Sequence, residues 1–353
     1  MDELLNVADF EREAERRLEP GPLGYFAGGA GDEVTLRDNV DAFSRWRLRP
    51  RMLVDVSGVT TATTVLGREV SMPLLVAPTA FQRLAHSDGE LATARAAASA
   101  GTVMCQSTLS SVTPAEVAAA APDGRRWFQL YWSTDRGFTR DLLGSVANAG
   151  FEALVLTIDF AAAGRRERDL RTTFALPDDL PSPNIPHDLA RRHFHLALGQ
   201  VVDTSITWRD LEWLREACPL PLLLKGILTS EDALIAVEHG ADGIIVSNHG
   251  GRQLDGVAAS LDALPEVAEA AGDRAELLLD GGIRRGGDVL KALALGARSV
   301  LAGRAVVWGL AVGGEPGVRR VLELLRGETA LGLTLLGCAS PADVTRGHVA
   351  RSA

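Results

Sequence analysis

Two residues three apart carry the sharpest chemical signal. His249 and Arg252 lie in SNHGGRQLDG, Ser247 to Gly256, where glycines turn the chain directly after an apolar run. An imidazole changes charge near neutral pH, so it can accept a proton from a bound ligand. A guanidinium grips a carboxylate through two parallel hydrogen bonds. Together they predict proton abstraction from a small carboxylate-bearing substrate. An isolated HxxR spacing also describes a surface loop. Here it is joined by Lys225, which ends the apolar run LPLLLK, and by two further turns that carry arginines.

Those turns are DGGIRRGGDV (Asp280–Val289) and LAGR (Leu301–Arg304). Glycine-rich turns leave backbone N–H groups free for a phosphate, and Arg284 and Arg304 add positive charge. A phosphate, a buried lysine and several amide or hydroxyl groups suit a flavin mononucleotide. A dinucleotide calls for GxGxxG opening a βαβ unit, and the sequence has none.

The elements that must hold these residues read as a rhythm. From residue 72, eight apolar runs alternate with helical patterns: Leu74–Pro78, Thr102–Gln106, Trp127–Trp132, Ala153–Asp159, Leu220–Lys225, Gly243–Asn248, Glu276–Asp280 and Ser299–Gly303. Continuous apolar runs fit strands buried on both faces, as in a parallel sheet. Eight β-then-α units predict an α/β fold, a (β/α)8 TIM barrel, whose active site lies at the C-terminal strand ends. Residues 1–353 read as a single barrel domain, with an N-terminal helical extension over 1–71. Residues 1–20 read as one amphipathic helix stopped by Pro20, Gly21 and Pro22, followed by a flexible glycine loop over residues 28–31. The connection after the fourth run, about 160–219, is long enough for a lid or a disordered insert. His187, His193 and His195 fall in it and fit a solvated basic helix better than a metal site, so no metal is expected.

Composition narrows the partners. The formal net charge is −10, which disfavours broad contact with nucleic acid or an anionic membrane, so anionic ligands must be held by local clusters of Arg and Lys. No apolar stretch reaches the ~18–20 residues of a spanning helix. Cys105, Cys218 and Cys338 show no CxxC or zinc spacing and read as reduced thiols. The acidic, amphipathic N-terminus does not read as a signal peptide, so the expected compartment is the cytoplasm.

Longer motifs resemble a family from about residue 5 to about residue 340. They are GYFAGGAGDE (Gly24–Glu33), APTAFQRLAHSDGE (Ala77–Glu90), FQLYW (Phe128–Trp132), TID with GRRERD (Thr157–Asp159, Gly164–Asp169) and LLKGI (Leu223–Ile227). With SNHGGRQLD, DGGIRRGGDV and the Gly303–Arg304 pair, the chain resembles the FMN-dependent L-2-hydroxy acid oxidases and dehydrogenases, among them glycolate, lactate and hydroxymandelate oxidases and mandelate dehydrogenase. The resemblance implies that His249 takes the substrate proton and that Asp159 orients it. It implies that Arg166 and Arg252 clamp the carboxylate with Tyr25 as a third donor, and that Tyr131 bonds the substrate hydroxyl or carboxylate. Lys225 is implied beside the flavin N1 edge. Ala77, Pro78, Thr79, Ala80, Ser107, Gln129, Thr157 and Ser247 are implied to hold the ring and ribityl parts. Asp280, Gly282, Arg284, Gly303 and Arg304 are implied to hold the ribityl and phosphate end. The family also implies a homo-oligomer, often a tetramer.

Two departures bear on the substrate. The family places a bulky side chain at Ala163, over the substrate's variable group, and glycolate-type members tend to carry Trp at Leu109. Both changes predict a larger pocket and a bulky or aryl, mandelate-like side chain; refilling by the lid is the opposing reading. Electrons could pass to O2 or to a quinone or other carrier, since Ala80 occurs in both types. Oxidative maturation of a peptide-derived cofactor precursor stays open. An FMN barrel isomerase, a nucleotide dehydrogenase and a silent binding protein fit Tyr25, Tyr131, His249, Arg166 and Arg252 less well.

Overall fold

The computed structural model describes residue 1, residues 3–186 and residues 202–352. Eight parallel strands close into a barrel: β1 (Leu74–Val76), β2 (Val103–Ser107), β3 (Arg125–Leu130), β4 (Leu154–Thr157), β5 (Leu222–Ile227), β6 (Gly243–Val246), β7 (Glu276–Asp280) and β8 (Ser299–Ala302). They follow one another in chain order and β8 pairs with β1, as a (β/α)8 barrel requires.

Period-two alternation explains why the runs are apolar throughout. Leu75, Val103, Cys105, Trp127, Val155, Leu223, Ile245, Leu278 and Leu301 cluster inside the barrel. Their neighbours Leu74, Val76, Met104, Phe128, Leu154, Leu224, Ile244 and Leu279 pack outward against the helices. The same alternation delivers the chemistry. Two residues beyond an inward apolar residue stand Ser107, Gln129, Thr157, Lys225, Ser247 and Asp280. Strand β3 begins at Arg125, before the apolar run, because its polar entry is held by Arg125 Nε donating to Glu152 at 2.7 Å. The hairpin formed by Thr63–Val65 and Arg68–Val70 adds Val65 and Val70 to the inner cluster.

The N-terminal region differs from the single helix expected. One helix spans Val7–Arg17 and a second spans Pro20–Ala27. Proline lacks only an N–H that the first turn leaves unpaired, so Pro20 and Pro22 start a helix here rather than merely ending one. The glycine loop is tied down: Gly28 N donates to Gly24 O at 2.8 Å, Ala30 N to Gly251 O at 2.8 Å, and Gly31 N to Arg165 O at 3.0 Å. Of the long connection, the structure describes the helix Glu167–Arg171, residues up to 186, and the chain from Val202 through the helix Leu211–Ala217. His187, His193 and His195 lie outside the described residues. Among the described residues no helix is long and apolar enough to cross a membrane, and the three cysteines are buried and form no disulfide.

Candidate active site

The C-terminal ends of the strands converge on one pocket. It is lined by Tyr25, Ala77, Pro78, Thr79, Ala80, Ser107, Leu109, Gln129, Tyr131, Thr157, Arg166, Lys225, His249, Arg252, Asp280, Gly282, Arg284, Gly303 and Arg304. At its centre His249 Nδ1 lies 2.8 Å from Asp159 Oδ1, and Nε2 lies 3.3 Å from the Tyr131 hydroxyl. His249 holds φ 59°, a left-handed backbone that is uncommon for any residue but glycine. The Ser247 hydroxyl supports it twice, accepting from His249 N and from Lys225 Nζ, both at 3.0 Å. Lys225 Nζ also stands 3.4 Å from Asp280.

The cations face the same space. Arg166 is buried, and its Nε has no hydrogen-bond partner among the described residues. Arg252 lies over the Tyr25 ring, 5.0 Å from its centre, and donates to the Gly28 carbonyl at 3.0 Å. Arg304 also lines the pocket, and its guanidinium donates to three carbonyls, Phe26 and Gly250 at 2.9 Å and Gly28 at 2.8 Å. Its backbone opens the helical segment Arg304–Leu336, which is broken at Gly313 and Gly314, so what it offers an anion is a helix N-terminus plus charge.

A family model described as FMN-dependent dehydrogenase matches residues 14–351. The chain belongs to this family. An L-lactate oxidase from a Nostoc species is 51% identical over 96% of both chains. Glycolate oxidase 3 of Oryza sativa subsp. indica is 47% identical, covering 99% of this chain and 97% of its own. A crystal structure of mandelate oxidase superposes with a TM-score of 0.91 at 44% identity, covering 99% of this chain and 98% of that one. The protein is thus an oxidoreductase of the FMN-dependent 2-hydroxy acid oxidase family, and its cofactor is FMN.

The residues present fit that group. Gln129 Oε1 is occupied by the Ser107 hydroxyl at 3.0 Å, which leaves the buried Nε2 as an unpartnered donor among the described residues. Thr157 Oγ1 and Asp280 Oδ1 are likewise buried without partners. Such orphans are rare in native interiors and mark a polar ligand. At the other end, Gly282 holds φ 80°, and a Cβ there would lie 1.9 Å from the Asn39 carbonyl oxygen, so only glycine makes this turn.

Electrostatics in this family member follow from burial. Burial pushes His249 below its ordinary value; Asp159 opposes this and Lys225 reinforces it, so the imidazole is neutral at pH 7. Burial works to raise Asp159, but His249 and Lys225 outweigh it and hold the carboxyl low. Burial also lowers Arg252 to about 10, with repulsion from Arg166 adding to the effect. Arg284 is lowered by burial, and Arg304 well below its ordinary value by burial and by the neighbouring arginines. A buried cluster of cations in an acidic chain creates a strong demand for anions.

Three expected positions, Ala163, Asp159 and Ser247, are absent from this pocket's lining. Ala163 does not border this pocket. It lines an adjacent cavity with Ala161, Ala162, Gly164 and Gln253. The turn after β4 carries residues 161–163 outward, so their small size enlarges that second cavity instead. Asp159 and Ser247 border the second cavity too, standing behind His249 and Lys225. The residue that does enter the pocket wall is Phe160, buried, with its ring centre 4.9 Å from Tyr131 and 5.8 Å from His249. Its place beside Asp159 was the available signal for it. The reciprocal amide pair of Asn39 and Asn248, 2.8 Å in both directions, had no sequence signal, since 209 residues separate the partners.

Proposed function

We propose that the protein oxidises an L-2-hydroxy acid with a bulky apolar, aryl-type side chain to its 2-keto acid, with O2 as electron acceptor. The observation that carries the reaction is the His249 Nε2 to Tyr131 hydroxyl approach, with Arg166 and Arg252 lining the same pocket. The substrate carboxylate lies between the two guanidiniums, with the Tyr25 hydroxyl as a third donor. Bidentate contacts fix its orientation, and fixed orientation is worth several kcal/mol of a barrier, roughly 7 or more in the best cases. The substrate hydroxyl lies between Tyr131 and His249. His249 Nε2 takes the proton that the substrate gives up, and Asp159 stabilises the imidazolium through Nδ1. FMN, when bound, supplies the two-electron acceptor. Lys225 would supply the buried positive charge beside it. Gln129 and Thr157 would hold the ring region; Gly282, Arg284 and the turn at Gly303–Arg304 would hold the phosphate.

The buried Leu109 in the pocket wall supports a large apolar substituent. A mutant mandelate oxidase solved with (S)-mandelic acid, at a TM-score of 0.91 and 44% identity, supports it by likeness. Phe160 favours a second reading, a small aliphatic acid such as lactate, because its ring takes space in the same wall. Acceptance of O2 is supported by the oxidase names of the relatives. The test is an anaerobic screen of glycolate, L-lactate and (S)-mandelate for loss of the oxidised flavin absorbance, then peroxide release in air. Fastest bleaching by mandelate with peroxide release is the expected result. Faster bleaching by lactate selects the second reading, and no bleaching by any of them refutes the reaction.

A further inference from the structure

The motif that carries His249 and Arg252 continues into Gln253, to which the chemistry above gives no role. Its amide spans the gap to the loop after β4. Nε2 donates to the Asp159 and Ala162 carbonyls, both at 2.8 Å, and Oε1 accepts from Gly164 N at 3.2 Å. All three partners lie in the short turn between Asp159, which holds His249, and Arg166. The two backbones also meet there: a Cβ on Gly164 would lie 2.3 Å from the Arg252 carbonyl oxygen. The turn has little else of its own to fix it, since Ala161 and Ala162 are exposed and no residue from 161 to 164 has a polar side chain. Only an uncharged amide can donate to two carbonyls and accept from an N–H at once.

We propose that Gln253 is a positioning residue that sets the distance between Arg166 and Arg252, and thereby the fit of the substrate carboxylate. This rests on the reading of those arginines as the carboxylate clamp. Arg252 is the residue next to Gln253, and Arg166 lies two residues beyond Gly164, so the fork joins the two backbone segments from which the guanidiniums extend. The fork reaches Asp159 only at its backbone carbonyl, whereas His249 is held by the Asp159 carboxylate, at Oδ1, and by Ser247. Loss of the fork therefore disturbs anion binding and spares the proton transfer.

The test uses flavin-loaded Gln253→Met, close in length but without the amide, and Gln253→Asn, one methylene shorter. Two probes are applied: oxalate, a non-oxidisable carboxylate, followed by its perturbation of the flavin absorbance, and whichever of L-lactate and (S)-mandelate reduces the wild-type flavin faster. The oxalate Kd and the substrate KM rise together by about tenfold or more, since a 1 Å misplacement costs up to about a hundredfold. The limiting rate of flavin reduction falls by less than about threefold, and the acid limb of kcat/KM stays where it is. Kd and KM within about twofold of wild type in either flavin-retaining variant overturn the proposal, as does a collapsed limiting rate with an unchanged oxalate Kd. Failure of the wild-type protein to bind either carboxylate overturns the clamp reading and this proposal with it; equal binding by wild type and variants overturns this proposal alone.

Discussion

His249 Nδ1 and Asp159 Oδ1 stand 2.8 Å apart across 90 residues of sequence, and that contact decides which ring nitrogen faces the pocket. With Nδ1 donating to a carboxylate held ionised, the lone pair sits on Nε2, toward Tyr131. Asp159→Asn keeps the size of the side chain and removes the charge that stabilises the imidazolium. It lowers the anaerobic rate of flavin reduction by about 10²- to 10⁴-fold, the usual reach of general acid–base catalysis. Stopped-flow absorbance at saturating substrate measures it, and a loss under about tenfold contradicts the assignment.

The pH profile follows from the direction of two shifts. His249 is pushed below its ordinary 6.5, so the base is neutral and competent above that depressed value. kcat/KM therefore holds through neutral pH and falls only as pH drops through an apparent pKa under 6.5. Arg252 is lowered to about 10, so the clamp loses charge as pH rises through that value and KM climbs. An acid limb above pH 7 in kcat/KM contradicts the burial of a neutral imidazole.

Lys225 is buried with Asp280 at 3.4 Å and Asp159 nearby; burial works to lower its pKa, but the two carboxylates outweigh it and hold it above its ordinary value. Lys225→Met removes one partner and leaves carboxylates uncompensated. The cost is about 3–5 kcal/mol of stability, as for other broken buried pairs. Urea unfolding of the flavin-loaded protein reads it, and a cost under about 1 kcal/mol shows that the lysine contributes little to this network.

Leu109 is the pocket-wall position at which size is expected to choose the substrate. Leu109→Trp lowers kcat/KM for (S)-mandelate by about tenfold to a hundredfold and leaves glycolate within about threefold, since each methylene of fit in an apolar pocket carries about 1–3 kcal/mol. Parallel steady-state assays on both acids check it. An equal loss on both places Leu109 away from the variable group.

Much of this was legible in the chain. The barrel showed because strands buried on both faces read as unbroken apolar runs, and on six of the strands a polar residue two positions beyond an inward apolar one marks the rim. His249 and Arg252 showed because their spacing is local. The second helix at Pro20 did not, because proline marks helix starts as well as stops. The cavity that Ala163 lines was not legible for a different reason: motif position tells which turn a residue occupies, whereas its course follows contacts such as those of Gln253 with Ala162 and Gly164, made from the β6 loop. Phe160 then supplies to the pocket the bulk that Ala163 lacks.

The central claim, that His249 is the base, is tested most directly by mixing flavin-loaded His249→Ala with saturating L-2-hydroxy acid in the absence of oxygen. The account predicts that the variant keeps its bound flavin and its yellow colour, and that bleaching slows by at least about 10²-fold relative to wild type. Bleaching at a rate near that of wild type would contradict it.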